Sequence, residues 1–189
     1  MTARTSERPL RADAARNRLR VVEAAEQVFA ELGLEASVDD VAARAGVGRA
    51  TIYRSFPTKD HLVAGVAIER LRRFEQMALE ALAEEDAGTA FRGFLVRIAE
   101  AHPKDRVMLE AMRLGEAVPE LAEARAATSA AIGRLIDGGR RQGALRKDAT
   151  ADDVRVLFSG LTHALTPEQQ RDGALLRRYA NLIADALSA

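Results

Sequence analysis

The stretch from Ser37 to Leu62, SVDDVAARAGVGRATIYRSFPTKDHL, leaves the backbone few choices. Ser37 is a good N-cap, and Asp40 three residues on can return its hydrogen bond in a variant capping box. Val38, Val41, Ala42 and Ala45 then recur at helical spacing and form an apolar face. Gly46 stands where a helix C-terminus favours a residue free to take positive φ. Gly48 opens a second segment, Arg49 to Phe56, in which Ile52 and Phe56 lie four apart on one face. Arg49 and Tyr53 lie four apart on a different face, with Ala50 and Thr51 beside them. A short helix anchored on one side thus presents a cation, a small residue, a hydroxyl and a phenol on the other. That is the layout of a recognition helix lying in the DNA major groove.

The remainder of the chain has to support this element. At 189 residues it can hold one large or two small domains, and 48% hydrophobic content is ample for a core. Aromatics at 4% and the absence of Trp point to packing by Ala, Leu and Val on helices. There are no cysteines, so disulfides and thiolate zinc sites are excluded, which suits a reducing cytoplasm. No apolar run approaches the roughly 20 residues of a membrane span, and the N-terminus lacks a signal-peptide core. The expectation is a soluble cytoplasmic protein. The formal net charge is zero, but its distribution is uneven: residues 1–20 hold six Arg against Glu7 and Asp13, or +4. Residues 1–60 hold ten basic and nine acidic side chains, or +1, and the remainder comes to −1. Charge argues neither for nor against DNA overall, so local basic groups must supply the electrostatic attraction.

Residues 1–11 mix Thr, Ser, Arg and Pro without apolar periodicity and read as a disordered arm, either a DNA-touching one or a solvated tail. A first helix is expected from about Ala12 to Leu32, with Val21, Val22, Ala25, Val28, Phe29 and Leu32 as its stripe and Gly33 ending it. Arg16, Arg18 and Arg20 in its first turns are placed to graze the phosphate backbone. Pro57 breaks the chain after the recognition helix, Thr58 can cap the next, and Lys59 stands in its first turn. A helix N-terminus already attracts anions, so Lys59 is well placed to hold a DNA phosphate. That helix is expected to reach Glu84 or Glu85, where the step to Gly88 marks a boundary.

Helical stripes continue to the end. Phe91, Phe94, Leu95 and Ile98 form one, stopped by Pro103; Val107, Met108, Ala111 and Met112 form a short one ended near Gly115. Pro119 opens a longer helix with Leu121, Ile132, Leu135 and Ile136 inward, ending at Gln142 or Gly143 after an internal Gly138–Gly139. Thr150 with Asp153 caps a helix bearing Val154, Leu157, Phe158 and Leu161. Asp172–Gly173 or Thr166–Pro167 opens the last, with Leu175, Leu176, Tyr179, Leu182, Ile183 and Leu187 apolar. No segment has strand periodicity. The fold class is all-α, about nine helices.

The run AGVGRATIYRSFPTKDHL resembles the DNA-binding signature of TetR-type transcriptional regulators, densely over about residues 18–66. The resemblance implies an N-terminal helix-turn-helix domain, 12–66, and a C-terminal helical regulatory and dimerisation domain, 67–189. In that family the positions matching Thr51, Tyr53 and Lys59 commonly hold phosphates, and those matching Arg49, Ala50 and Ser55 more often face bases. Arg49 is the foremost base reader on chemical grounds too, because a guanidinium pairs bidentately with guanine O6 and N7. Ala50 allows close approach and contact with a thymine methyl. Arg54 is read as solvated or phosphate-facing, and Ser37 is counted with the DNA-contacting residues. The sequence departs from the family at Gly48, where a polar cap is usual, at Ser55, where His or Tyr is commoner, and at His61, which replaces an acidic residue. These departures leave the operator sequence open.

For the second domain the expectation is an apolar pocket for a small hydrophobic or amphipathic effector, lined by Phe74, Met77, Phe91, Phe94, Met108, Met112, Phe158 and His163, with plain core as the alternative. His102, Arg106, Glu110 and Arg113 are polar groups near helix ends that either orient a ligand or lie on the surface. The resemblance implies a homodimer through the last two helices, with Val154, Leu157, Leu161, Leu176, Tyr179 and Ile183 as candidate interface residues; a monomer with those stripes internal is the alternative. A twofold interface pairs the recognition helices on a pseudo-palindromic operator. Catalysis is not expected: His61, His102 and His163 are far apart without ligand spacing, and thiol, GxSxG and Gly-rich phosphate loop are absent. No metal or cofactor is called for. The competing class is a DNA-binding architectural protein without a small-molecule switch.

Overall fold

The computed structural model describes residues 7–101, 106–114 and 118–189, apart from the side chains of residues 7–12, 14 and 106. Among them are nine α-helices and, beyond one isolated bridge between Leu145 and Ser188, no strand. The helices are α1 (Glu7–Leu32), α2 (Val38–Ala45), α3 (Arg49–Ser55), α4 (Lys59–Ala81), α5 (Ala87–Glu100), α6 (Arg106–Leu114), α7 (Pro119–Arg141), α8 (Ala151–Ala164) and α9 (Gly173–Leu187). The all-α expectation is met.

The chain divides into two compact units. One comprises the chain through Glu69 together with Arg106–Val118; the other comprises Arg70–Asp105 and Pro119–Ala189. Helix α6 falls in the first of these units, a long-range association that no local pattern encodes.

In the first unit α1 packs on α2 and α3, and α2 packs on α3. Val21, Ala25 and Val28 of α1, Val41 of α2 and Ile52 of α3 are all almost fully buried, as their spacing requires. Helix α1 begins at Glu7, earlier than expected, so the arm reading does not hold for residues 7–11; residues 1–6 lie outside the described residues. Pro9 allows this because the first turn of a helix has backbone N–H groups without intrahelical partners. Gly33 and Gly46 take φ of +80° and +64° at the ends of α1 and α2, the left-handed conformation that glycine adopts without a Cβ penalty.

The second unit is built on α5, which packs on α7 and α9, with α8 against α7 and α9. Phe91, Phe94, Leu95, Leu135, Ile136 and Ala180 lie at the heart of its core. Asp86 caps α5, its side chain accepting from the Thr89 backbone N–H at 2.6 Å. The Thr150–Asp153 capping box opens α8 as expected, and Asp172 is the cap that opens α9. Thr166–Pro167, the other candidate start, leads only into a short 3-10 turn, Gln169–Arg171. Gly143, at φ +71°, follows the end of α7. Gly139 inside α7 is explained by packing, since a Cβ there would fall 2.6 Å from Leu145 Cγ. Helix α4 stops at Ala81, short of Glu84. The predicted stops at Pro103 and Gly115, and His102, lie outside the described residues.

Candidate nucleic-acid interface

Helix α3 is short, and its position is set by its neighbours. Ser37 and Asp40 form the complete capping box of α2: Asp40 N–H donates to Ser37 Oγ at 3.1 Å, and Ser37 N–H donates to Asp40 Oδ2 at 2.8 Å. The Ser37 hydroxyl also donates to Asp40 at 2.7 Å. Hydrogen bonds from the Ser37 side chain, then its backbone, hold the Asp40 carboxyl below its usual range. This cap therefore contributes fully above the ordinary Asp pKa and is lost as acid protonates the folded carboxylate. Arg44 at the other end of α2 pairs with Glu31 of α1 at 2.6 Å and donates to Gln27 at 3.2 Å, locking the two helices together.

At the C-terminus of α3, Phe56 is 1% exposed and serves as its C-cap residue, its N–H donating to the Ile52 carbonyl. Arg18 of α1 donates to the Ser55 carbonyl at 2.9 Å and lays its guanidinium over the Phe56 ring, 4.3 Å from the centroid. A cation at the last carbonyls of a helix is favourable both as a donor and through the helix dipole. Arg18 thus holds the recognition helix from behind, whereas its charge and position in the sequence suggest phosphate. Arg16 pairs with Asp13, and Arg20 donates to Asn17 at 2.9 Å.

The outward side of α3 carries the predicted DNA-contacting groups. Arg49, Ala50, Tyr53 and Arg54 are exposed, Thr51 and Ser55 half-buried, and Ile52 turns inward at 1%. Arg54 donates to the Thr51 hydroxyl at 3.4 Å, a weak tie along the helix. Thr58 caps α4: its hydroxyl accepts from the His61 N–H at 3.3 Å and lies 2.8 Å from His61 Nδ1. The reciprocal bond to the Thr58 backbone N–H that would complete a capping box is not among those of His61, and Lys59 occupies the first position of α4.

One partner is not legible in the sequence. Asp39 of α2 approaches Arg49 of α3, with Oδ1 3.1 Å from Nε, and Arg49 also lies over the Tyr53 ring at 5.8 Å from its centroid. Hydrogen bonding to Tyr53, then the charge of Asp39, raises the Arg49 pKa further above its already high usual value. Only the capping role of the adjacent Asp40 is encoded locally; that Asp39 meets a residue ten positions later depends on how α2 crosses α3.

The other candidate residues are distributed as follows. Phe91 and Phe94 are each 1% exposed in the core of the second unit, and Phe74, Met77 and Phe158 pack against that core. His163 is exposed, and Met108 and Met112 belong to α6 in the first unit, so the eight do not form one set within a unit. Glu110 and Arg113 pair with each other at 3.6 Å on the surface of α6, whereas the Arg106 side chain lies outside the described ones. The second unit has a cavity of about 10 Å³ bordered by Ala99, Phe158, Leu161, Thr162, Leu165, Gln170 and Leu176, room for about one water. Of the candidate interface residues, Val154 and Leu176 turn into the protomer core at 2% and 6% exposure, which corrects their assignment to an outward face. Leu157 is exposed, and Leu161, Tyr179 and Ile183 are half-buried. Val156 and Leu182, outside the candidate set, are exposed at 51% and 49%; Leu182 continues the i, i+3/i+4 spacing of Leu175 and Tyr179.

The helix-turn-helix geometry, with a recognition helix pinned at its C-terminus and polar on its outward side, defines a DNA-binding regulator of the helix-turn-helix class. Residues 21–66 match the model for bacterial regulatory proteins of the tetR family, and residues 86–189 match the SbtR-like transcriptional regulator C-terminal domain. Among solved structures, a TetR transcription regulatory protein from Mycobacterium vanbaalenii is 35% identical, with 96% of this chain and 100% of that one covered and a TM-score of 0.67. The TetR regulator SCO0520 from Streptomyces coelicolor is 28% identical, covering 90% of this chain and 98% of that one at a TM-score of 0.66. A protein whose structure concerns control of antibiotic production by bacterial hormones is also 28% identical, covering 92% and 98% at a TM-score of 0.67. No curated protein matches. The chain belongs to the TetR family of transcription regulators, and it is a DNA-binding regulator and not an enzyme. No described helix is long and apolar enough to cross a membrane.

Proposed function

We propose that this regulator acts as a homodimer on a pseudo-palindromic operator and is a repressor released by a small apolar or amphipathic effector. The observation that carries the DNA half is the outward set Arg49, Ala50 and Tyr53 on a helix whose Ile52 and Phe56 are buried. Arg49 and Ala50 read bases, whereas Thr51, Tyr53 and Lys59 hold phosphates; Ser55 faces bases near the helix end. Ser37 reaches a phosphate only through the hydroxyl already committed to Asp40, so its contribution is to the cap first. Lys59→Ala is expected to weaken binding to every DNA sequence alike. It should flatten the slope of log K against log salt by about 0.9 for each phosphate left without its lysine, twice that for a dimer. An unchanged salt slope would remove Lys59 from the phosphate-binding set.

The dimer reading rests on the outward apolar residues of α8 and α9, Val156, Leu157 and Leu182, with half-buried Leu161, Tyr179 and Ile183 beside them. Twofold packing of α8 and α9 covers such residues with their own copies. Leu182→Glu should shift the dimer–monomer equilibrium toward monomer in analytical ultracentrifugation. A chain that sediments identically with and without the substitution would move the interface elsewhere.

An effector of ordinary size needs about 300 Å³ or more, and the cavity beside Phe158 holds about 10 Å³. An effector that binds beside Phe158 therefore selects a conformation in which that cavity has opened. It releases DNA only to the extent that it binds the DNA-incompatible conformation more tightly than the compatible one. By linkage, operator DNA weakens effector binding by the same factor.

A further inference from the structure

We propose that Asp39 is a specificity-determining positioning residue, which anchors the Arg49 side chain through Nε so that its terminal nitrogens read a single base pair. The proposal rests on the assignment of α3 as the DNA-reading helix and adds a residue to it. A carboxylate on a DNA-facing surface carries an electrostatic cost, because it repels the phosphate backbone. Asp39 is more than half exposed, with Oδ1 3.1 Å from Arg49 Nε, and neither side chain is held by burial. Its neighbour Asp40 is committed to the Ser37 cap, so the two adjacent carboxylates have separate tasks: one closes α2, the other faces α3. The Tyr53 ring flanks the same guanidinium at 5.8 Å, and the two neighbours together restrict where the arginine can reach.

The consequence follows from what arginine can do on DNA. An unrestrained guanidinium finds a phosphate as readily as a base, and phosphate contacts carry no sequence information. Guanine O6 and N7 are read by two parallel N–H groups, a geometry that fails if the side chain swings. An anchor on Nε preserves the Nη1 and Nη2 end for that pairing and opposes excursions to the backbone. Asp39 therefore lowers affinity for DNA in general and raises discrimination at the position Arg49 reads.

Asp39→Asn removes the charge while keeping the side-chain shape. The probes are the operator enriched from a random pool and its single-base variants, with the read base pair defined as the one whose discrimination Arg49→Ala lowers most. The expected result is stronger binding of Asp39→Asn to scrambled DNA and a fall in discrimination at that base pair by up to about 5-fold, the most that an ion pair between exposed side chains supplies. In an Arg49→Ala background Asp39→Asn should change discrimination no further. Unaltered discrimination with a uniform gain in affinity would overturn the proposal, as would an equal loss in the Arg49→Ala background. A readout in the free protein separates this from failure of the DNA assignment: Asp39→Asn should change the NMR shift and solvent exchange of the Arg49 Nε–H. If neither changes, the ion pair is absent in solution and the proposal fails without reference to DNA. If both change but the native protein discriminates no sequence, the DNA-reading assignment fails, and the proposal with it.

Discussion

Replacing Arg49 by alanine is expected to reduce discrimination between the operator and DNA altered at one base pair by roughly 5- to 150-fold, the range of a good bidentate arginine–guanine pair. The effect should be concentrated at one symmetric pair of positions and leave affinity for scrambled DNA much less changed. Arg49 stands on the outward side of α3, and the Tyr53 ring and Asp39 carboxylate both face its guanidinium. Lysine at this position should not restore discrimination, because an ammonium lacks the planar two-donor edge. The measurement is competition binding against a panel of single-base variants. Retained discrimination across the whole panel would show that the base-reading role lies elsewhere on α3.

The largest effect on stability is expected at Phe56. Its side chain is 1% exposed and closes the C-terminal end of α3, with the Arg18 guanidinium over one face of the ring. Gly65 of α4 meets the same ring so closely that a Cβ there would fall 2.6 Å from Phe56 Cε1. Phe56→Ala should destabilise the first unit by about 3–5 kcal/mol, from the transfer free energy of the missing ring and the cavity left behind. Gly65→Ala attacks the same packing from the other side and should cost about 1–3 kcal/mol by overpacking, since a fully buried ring has little room to withdraw. Both are read from urea unfolding followed by a probe in the first unit. A cost below about 1 kcal/mol for Phe56→Ala would mean that the ring is not the anchor of the recognition helix.

The parts of this molecule that were legible in its sequence are those whose physics is local. The Ser37–Asp40 and Thr150–Asp153 boxes are closed within four residues, and Gly46 lies at the end of α2 because a left-handed residue is needed there. The amphipathic stripe of α5 announced its buried Phe91, Phe94, Leu95 and Ile98. Contacts between elements were not legible. Arg18 reaches the Ser55 carbonyl 37 residues away, and its charge alone suggested phosphate. The side of a wide apolar stripe that turns inward is also settled by neighbours, so Val154 and Leu176 faced the core while Val156 and Leu182 faced out. The grouping of α6 with the first unit belongs with these cases, because nothing within residues 106–114 specifies the helices with which they associate.

Selection of bound sequences from a random DNA pool at physiological salt tests the central claim most directly. A homodimer carrying two copies of α3 should enrich a pseudo-palindrome whose half-sites are separated by about one helical turn, 10–10.5 base pairs, or a multiple of it. Salt-sensitive binding with no enriched sequence would contradict the account and make the protein a non-specific DNA binder.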